Sequence, residues 1–359
     1  MAGAAHDRGA DYTFRRIAFL RAWRAGPIVG TALPAARATI AAMTTPRDTS
    51  PGAGGRLRWR SASLLALAPF FWACNWIIGR AFYEDLPPMA ITLFRWLVAV
   101  AILVPFAWHH VRRDWPVLRA HAGIVLALGA IGIAGQNALA YLGLNFTTVT
   151  NGVILNSFTP VMIVALAWTT GERLSRLQLA GMAVSLAGVL AILSQGSLAA
   201  LAAFEFNAGD LVIIVSMAMW AVYTILLRRR PAGVHPLGLL LVLSAVGALV
   251  MLPFWGIEAA LGRRVVWSAR AIAAIASIGL FSSVLAYVFW NRGVEELGPS
   301  VAGLFVHLMP VFGVALAWVL LGERPGRHHA VGVALILSGI ALATRGGARA
   351  GARGPGSVR

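Results

Sequence analysis

Ten apolar runs, each close to the length a helix needs to cross a bilayer, constrain this chain more than any other feature. They lie near residues 62–80, 89–108, 122–143, 148–169, 177–194, 208–227, 236–256, 269–290, 300–321 and 329–344. A hydrocarbon core of roughly 30 Å takes about 20 apolar residues per helical crossing, so the 359 residues are largely consumed by spans. The runs are continuous, without the alternation of a membrane strand, and lipid tolerates no unpaired backbone group. The expected fold is therefore all-α, a polytopic membrane protein of ten transmembrane helices. Composition agrees: 59% of residues are hydrophobic and 12% charged, with a mean hydropathy of +0.76.

The formal net charge of +17 could suggest a nucleic-acid partner, but its placement argues otherwise. The chain has Arg and no Lys, and the Arg residues concentrate in loops and tails. With alternating spans and a cytoplasmic N-terminus, one side collects the N-terminal Arg residues, Arg112, Arg113, Arg119, Arg228 to Arg230 and the tail from Arg345. That is the asymmetry of the positive-inside rule; the loop with Arg263, Arg264 and Arg270 runs against it. The expected location is the plasma (inner) membrane, with both termini cytoplasmic and no nucleic-acid partner.

Residues 1–60 are Arg- and Ala-rich, broken by Gly and Pro, and contain no run long enough to span. Arg21 and Arg24 interrupt the one stretch resembling a signal peptide. A disordered tail is expected, with Met43 as an alternative translation start. The remaining units are 61–195, a linker at 196–205, 206–345 and a tail from 346 to 359.

The two larger units repeat one another. Trp72-Ala73 and Arg80 align with Trp220-Ala221 and Arg228, and Ala140-Tyr141 and Asn145 with Ala286-Tyr287 and Asn291. Pro160-Val161, Ala165 to Trp168 and Gly171-Glu172-Arg173 recur as Pro310-Val311, Ala315 to Trp318 and Gly322-Glu323-Arg324. Gly181 and Gly188 match Gly332 and Gly339, at an offset of about 150 residues. Because each unit has five helices, the second enters the membrane from the opposite side. Two inverted five-helix repeats related by an in-plane pseudo-two-fold can expose a central site alternately to each side.

The stretches from Pro160 to Gly188 and from Pro310 to Gly339 carry a resemblance to the EamA-like family of the drug/metabolite transporter superfamily, over roughly residues 62–345. The resemblance implies a ten-helix carrier of small metabolites such as amino acids, nucleobases or sugars. Arg95 in Leu93-Phe94-Arg95-Trp96 resembles a basic residue common in that family's second helix.

Polar residues stranded in apolar helices are the site candidates, since each is costly in lipid. In the first repeat these are Asn75, Arg95, Gln136, Tyr141 and Asn156; in the second they are Trp220, Tyr223, Ser282, Tyr287 and His307. Trp72, Trp76 and Trp220 could supply stacking faces. Arg95 has two structural readings, pairing with helix carbonyls or snorkelling outward, and a functional one as countercharge for a substrate carboxylate. His307 is either a packed neutral ring or a proton carrier. No Asp or Glu falls at mid-membrane depth, which favours facilitated diffusion or exchange over a carboxylate relay. Pro160 and Pro310, matched across the repeat, are candidate gating positions. The glycines of the fifth and tenth helices suit packing or a homodimer contact.

Other chemistries leave little trace. Cys74 is the single cysteine, and the pairs His109-His110 and His328-His329 have no further ligand at a zinc-like spacing. No cofactor is expected. A small-metabolite exporter working by alternating access around a central site is the leading expectation, ahead of a lipid flippase or a membrane scaffold or receptor; an enzyme is not expected.

Overall fold

The computed structural model describes residues 53–147, 149–172, 174–194, 206–321 and 325–352. The expected N-terminal tail as far as residue 52, the linker, the motif Gly322 to Arg324 and the last seven residues lie outside them. Ten helices long and apolar enough to cross a membrane are present among the described residues. They are α1 (Ala53–Ala81), α2 (Pro88–Ala120), α3 (Ala122–Phe146), α4 (Val149–Asn156 and Thr159–Thr169) and α5 (Arg176–Leu193), then α6 (Ala208–Leu226), α7 (Pro236–Ala260), α8 (Ala269–Leu297), α9 (Pro299–Leu321) and α10 (Arg327–Ala352). Helix α1 starts ahead of the expected boundary at 61, and α10 runs past the one expected at 345.

Local sequence sets the helix ends. Ser175 with Gln178, and Asn207 with Asp210, form reciprocal capping boxes at the starts of α5 and α6. Helices α2, α7 and α9 each open on a proline, where the missing N–H removes no intrahelical bond. Glu258, near the end of α7, accepts from the Met89 and Ala90 amides at 2.9–3.2 Å, placing an anion on the free N–H groups of α2.

The helix contacts obey the repeat. Helix α2 packs on α7, α5 on α10 and α4 on α9, while α3·α6 has its mate in α8·α1, α4·α6 in α9·α1 and α3·α7 in α8·α2. The ends are inverted as well. Arg228 pairs with Glu172, Arg230 with Glu295 at 2.8 Å, and the His235 amide donates to Asp114 at 2.8 Å, gathering the ends of α2, α4, α6 and α8 with the start of α7 at one Arg-rich end. At the opposite end Glu258 of α7 meets the start of α2, and Thr147 after α3 donates to Asp210 at the start of α6.

The four matched glycines hold α5 against α10 backbone to backbone. A Cβ on Gly181 would stand 2.5 Å from the Gly339 carbonyl oxygen, and one on Gly188 would stand 2.6 Å from that of Gly332. These glycines face each other within one chain, so the packing role is the one they fill.

Two backbone features escape the sequence. Helices α3 and α8 each widen into a π-helical segment, Gly129–Gly135 and Ile278–Leu285. Helices α4 and α9 are each broken: α4 between Asn156 and Thr159, and α9 through a 3-10 turn at Phe305–His307. Pro160 and Pro310 therefore do not kink continuous helices; each sits in the first turn of a restarted segment, where its ring clashes with nothing.

Candidate functional site

The two breaks meet where the repeats join. His307 Nε2 lies 2.8 Å from the Ser157 carbonyl and Nδ1 lies 2.7 Å from the Ser185 hydroxyl. A carbonyl can only accept, so Nε2 carries a proton, while the Ser185 hydroxyl can either donate to Nδ1 or accept from it. The ring is packed at the junction, and α5 contributes Ser185 to it besides packing on α10. Asn156 donates to the Met309 sulfur at 3.1 Å and accepts from Thr159, tying the same breaks together.

Beside the junction is a small cavity of about 50 Å³. Of the expected contacts, Asn75, Gln136, Tyr141, Asn156, Trp220 and Tyr287 line it, together with Trp72 and Trp76. Asn137, Ser216, Met217 and Met309 also line it and were not singled out by the sequence. Ser282 instead pins α8 to α1, donating to the Phe71 carbonyl at 2.9 Å.

Arg95, Tyr223 and His307 correct the expectation, since none of them lines this cavity. Arg95 is fully buried, which excludes snorkelling, and it stands one layer behind the wall. Its Nε donates to Ser283 at 2.8 Å; one terminal nitrogen serves Tyr141 at 3.0 Å, Asn137 at 3.1 Å and Asn75 at 3.4 Å. The other terminal nitrogen has no hydrogen-bond partner among the described residues. No helix carbonyl accepts from it among these bonds, so the other structural reading fails too.

The π-helical segment explains Asn137. Widening the helix frees carbonyls, and the Asn137 amide nitrogen donates to those of Gly132 and Ile133 at 3.3 and 3.0 Å and to the Tyr287 hydroxyl at 3.0 Å. Its oxygen is thereby turned toward Arg95. Tyr287 in turn donates to the Gly132 carbonyl at 2.9 Å. In the register that pairs Tyr141 with Tyr287, Asn137 pairs with Ser283, so Arg95 is held by one position taken from each repeat. That register was the signal available for both.

Five aromatic rings, Trp72, Trp220, Tyr223, Tyr287 and Trp290, pack together on one side of the cavity. Tyr223 stacks on Trp220 with ring centroids 5.1 Å apart and donates to Asn291 at 2.9 Å. Asn291 lines a far larger cleft of about 590 Å³ at the Arg-rich end, with Arg228, Arg230, Pro236 and Glu295. The repeat-related place at the opposite end is lined by Arg80, Pro88, Tyr141 and Asn145 and measures only about 10 Å³. There Arg80 donates to the Leu144 carbonyl at 3.0 Å and lies over the Tyr83 ring at 4.8 Å. Equivalent sequence thus builds a wide cleft at one end and a narrow one at the other.

The family model for the EamA-like transporter family matches residues 59–194 and 207–345, one copy on each repeat. The chain belongs to the EamA-like transporter family. Among its relatives, "Uncharacterized transporter YyaM" of Bacillus subtilis (strain 168) is 31% identical over 63% of this chain and 74% of that protein. An "Uncharacterized transporter" of Archaeoglobus fulgidus is 28% identical over 78% of this chain and 96% of that one. A protein of Streptantibioticus cattleyicolor named "Probable terminal-alkyne amino-acid exporter" is 27% identical over 78% and 92% respectively. A solved crystal structure, 22% identical, superposes with a TM-score of 0.64 over 80% of this chain and 99% of that one, the same fold. This EamA-like protein is therefore a multi-pass membrane transporter, and its paired features belong to both copies of the family unit.

Proposed function

We propose that the chain is a secondary transporter that exports small metabolites such as amino acids, binding them in the cavity between its inverted repeats and exposing that cavity to each side in turn. The observation that carries this reading is the inequality of the two repeat-related clefts, about 590 Å³ against about 10 Å³. Two near-equivalent halves that hold different conformations can exchange them, which closes the wide cleft and opens the narrow one around a fixed centre. The broken helices α4 and α9 supply hinges at the centre, with Pro160 and Pro310 defining where each restarts. The Arg-rich end, where the wide cleft lies, faces the cytoplasm by the positive-inside rule, and both termini lie on that side. Among the described residues the buried carboxylates Asp114, Asp210 and Glu258 are all engaged near helix ends, which favours diffusion or exchange over a proton relay. Export draws support from the amino-acid exporter named among the relatives.

The test is counterflow in proteoliposomes holding the purified full chain, loaded with pooled amino acids, nucleobases, sugars and organic acids. Accumulation of a labelled solute, abolished in Asn75→Ala and Trp220→Ala proteins of normal abundance, is expected. Flux that these variants leave unchanged would remove the cavity from the transport path.

A further inference from the structure

A charge sits beside the central cavity with no anion to balance it among the described residues, facing only neutral acceptors and the Trp96 and Tyr141 rings at 5.2 and 5.9 Å. Arg95 is wholly buried, and all four groups that accept from it, on Ser283, Asn137, Tyr141 and Asn75, are neutral. Among the described residues no carboxylate pairs with it, although Arg228, Arg230 and Arg292 at the helix ends all have such partners. One terminal nitrogen faces three acceptors with two N–H groups, while the other, with two more, meets none. An uncompensated cation in a membrane interior is costly, and in membrane proteins it marks a functional position.

The scaffold itself does not require this charge. Counting from the prolines that open α2 and α7, Pro88 and Pro236, the position of Arg95 is occupied in the second repeat by Leu243, which is also fully buried. One repeat builds its helix with a leucine there; the other carries a guanidinium and draws polar side chains from α1, α3 and α8 around it.

Resting on the reading of the cavity as the transport site, we propose that the carried molecule bears a carboxylate and that Arg95 is its countercharge. Asn75, Asn137 and Tyr141 both hold Arg95 and line the cavity, so one layer of side chain separates the guanidinium from the solute. Asn75 is the longest of the acceptors, and its oxygen already receives the Tyr141 hydroxyl. A carboxylate that displaces Asn75 and Tyr141 gains two parallel N–H donors from a fork whose geometry matches it. Among the described residues no acidic side chain lines the cavity. An ammonium group on the same molecule meets only amide and hydroxyl oxygens and the faces of Trp72, Trp76 and Trp220, so the negative group is the handle.

Counterflow with matched probes tests this on the native full chain: free amino acids, their N-acetyl derivatives and their methyl esters. The free acids and N-acetyl acids are expected to exchange, and the esters to lose about tenfold or more, the scale of one charge-assisted hydrogen bond. In Arg95→Gln the difference between acid and ester should vanish; if that variant does not fold, the comparison on the native chain still decides. Exchange of esters or simple amines equal to that of the acids would overturn the assignment while leaving transport intact. Flux of no probe and no pooled metabolite would instead overturn the transport reading, and this assignment with it.

Discussion

His307 Nε2 donates to the Ser157 carbonyl across 2.8 Å, so the 3-10 turn that interrupts α9 satisfies a backbone group left over where α4 is interrupted. A broken helix in a membrane is tolerable only where other groups satisfy its free carbonyls. Replacing His307 by Phe keeps a ring but leaves the carbonyl unpaired. The expected cost is about 1–3 kcal/mol, the penalty of an orphaned buried polar group. A lower unfolding temperature in detergent checks it, and an unchanged one would show that water or another donor fills the place.

Close backbone approach makes a second prediction at Gly339, where a Cβ would lie 2.5 Å from the Gly181 carbonyl oxygen and 2.6 Å from the Ser185 nitrogen. Neither neighbour is a flexible side-chain tip, so Gly339→Val must part α5 from α10. Overpacking of this kind costs about 1–3 kcal/mol. Because Ser185 also holds His307, the variant should lose flux as well as thermal stability, whereas Gly123→Ala, whose Cβ meets nothing within 4 Å, should change neither.

The architecture was legible because length and continuity of apolar runs, and the matched Pro, Gly and Trp positions, are properties of the chain alone. Which side of each helix faces the cavity was not. Asn75 and Tyr223 occupy matched places, yet Asn75 lines the cavity and Tyr223 is sealed between Trp220 and Asn291. Asn137, next to Gln136, takes its importance from carbonyls freed by a π-helical segment that apolar residues alone do not signal. Pro160 and Pro310 stand out in the sequence as a matched pair, but the interruptions beside them do not, since those depend on groups from other helices that satisfy the loose ends.

His235, the cap of α7, gives a pH dependence. Its Nδ1 accepts from the Leu237 amide at 3.3 Å, and its ring stacks on His110 with centroids 3.5 Å apart. Burial, and then the nearby Arg113, lower its pKa below the ordinary value of about 6.5. Asp114 opposes this shift, and His109 adds to it. A group whose pKa falls on folding contributes stability that is complete above its unfolded pKa and is lost as pH drops through the folded one. Thermal stability should therefore decline below about pH 6.5, as protonation removes the acceptor from the cap. In His235→Asn, which caps without titrating, the decline should be shallower; an identical pH profile would assign it to other groups.

The unequal clefts predict unequal access. Pro231 lines the wide cleft, and its repeat-related counterpart Tyr83 lines the narrow one beneath Arg80. With Cys74 changed to Ala, a cysteine at Pro231 should react with a membrane-impermeant maleimide from the Arg-rich side at a rate well above that of a cysteine at Tyr83 from the other. If the halves exchange conformations, adding a transported solute should slow the first reaction and hasten the second together, because one rearrangement governs both. A solute that alters only one rate would point to a local movement at that cleft, and the matched hinges at Asn156 and His307 would then not be working as a pair.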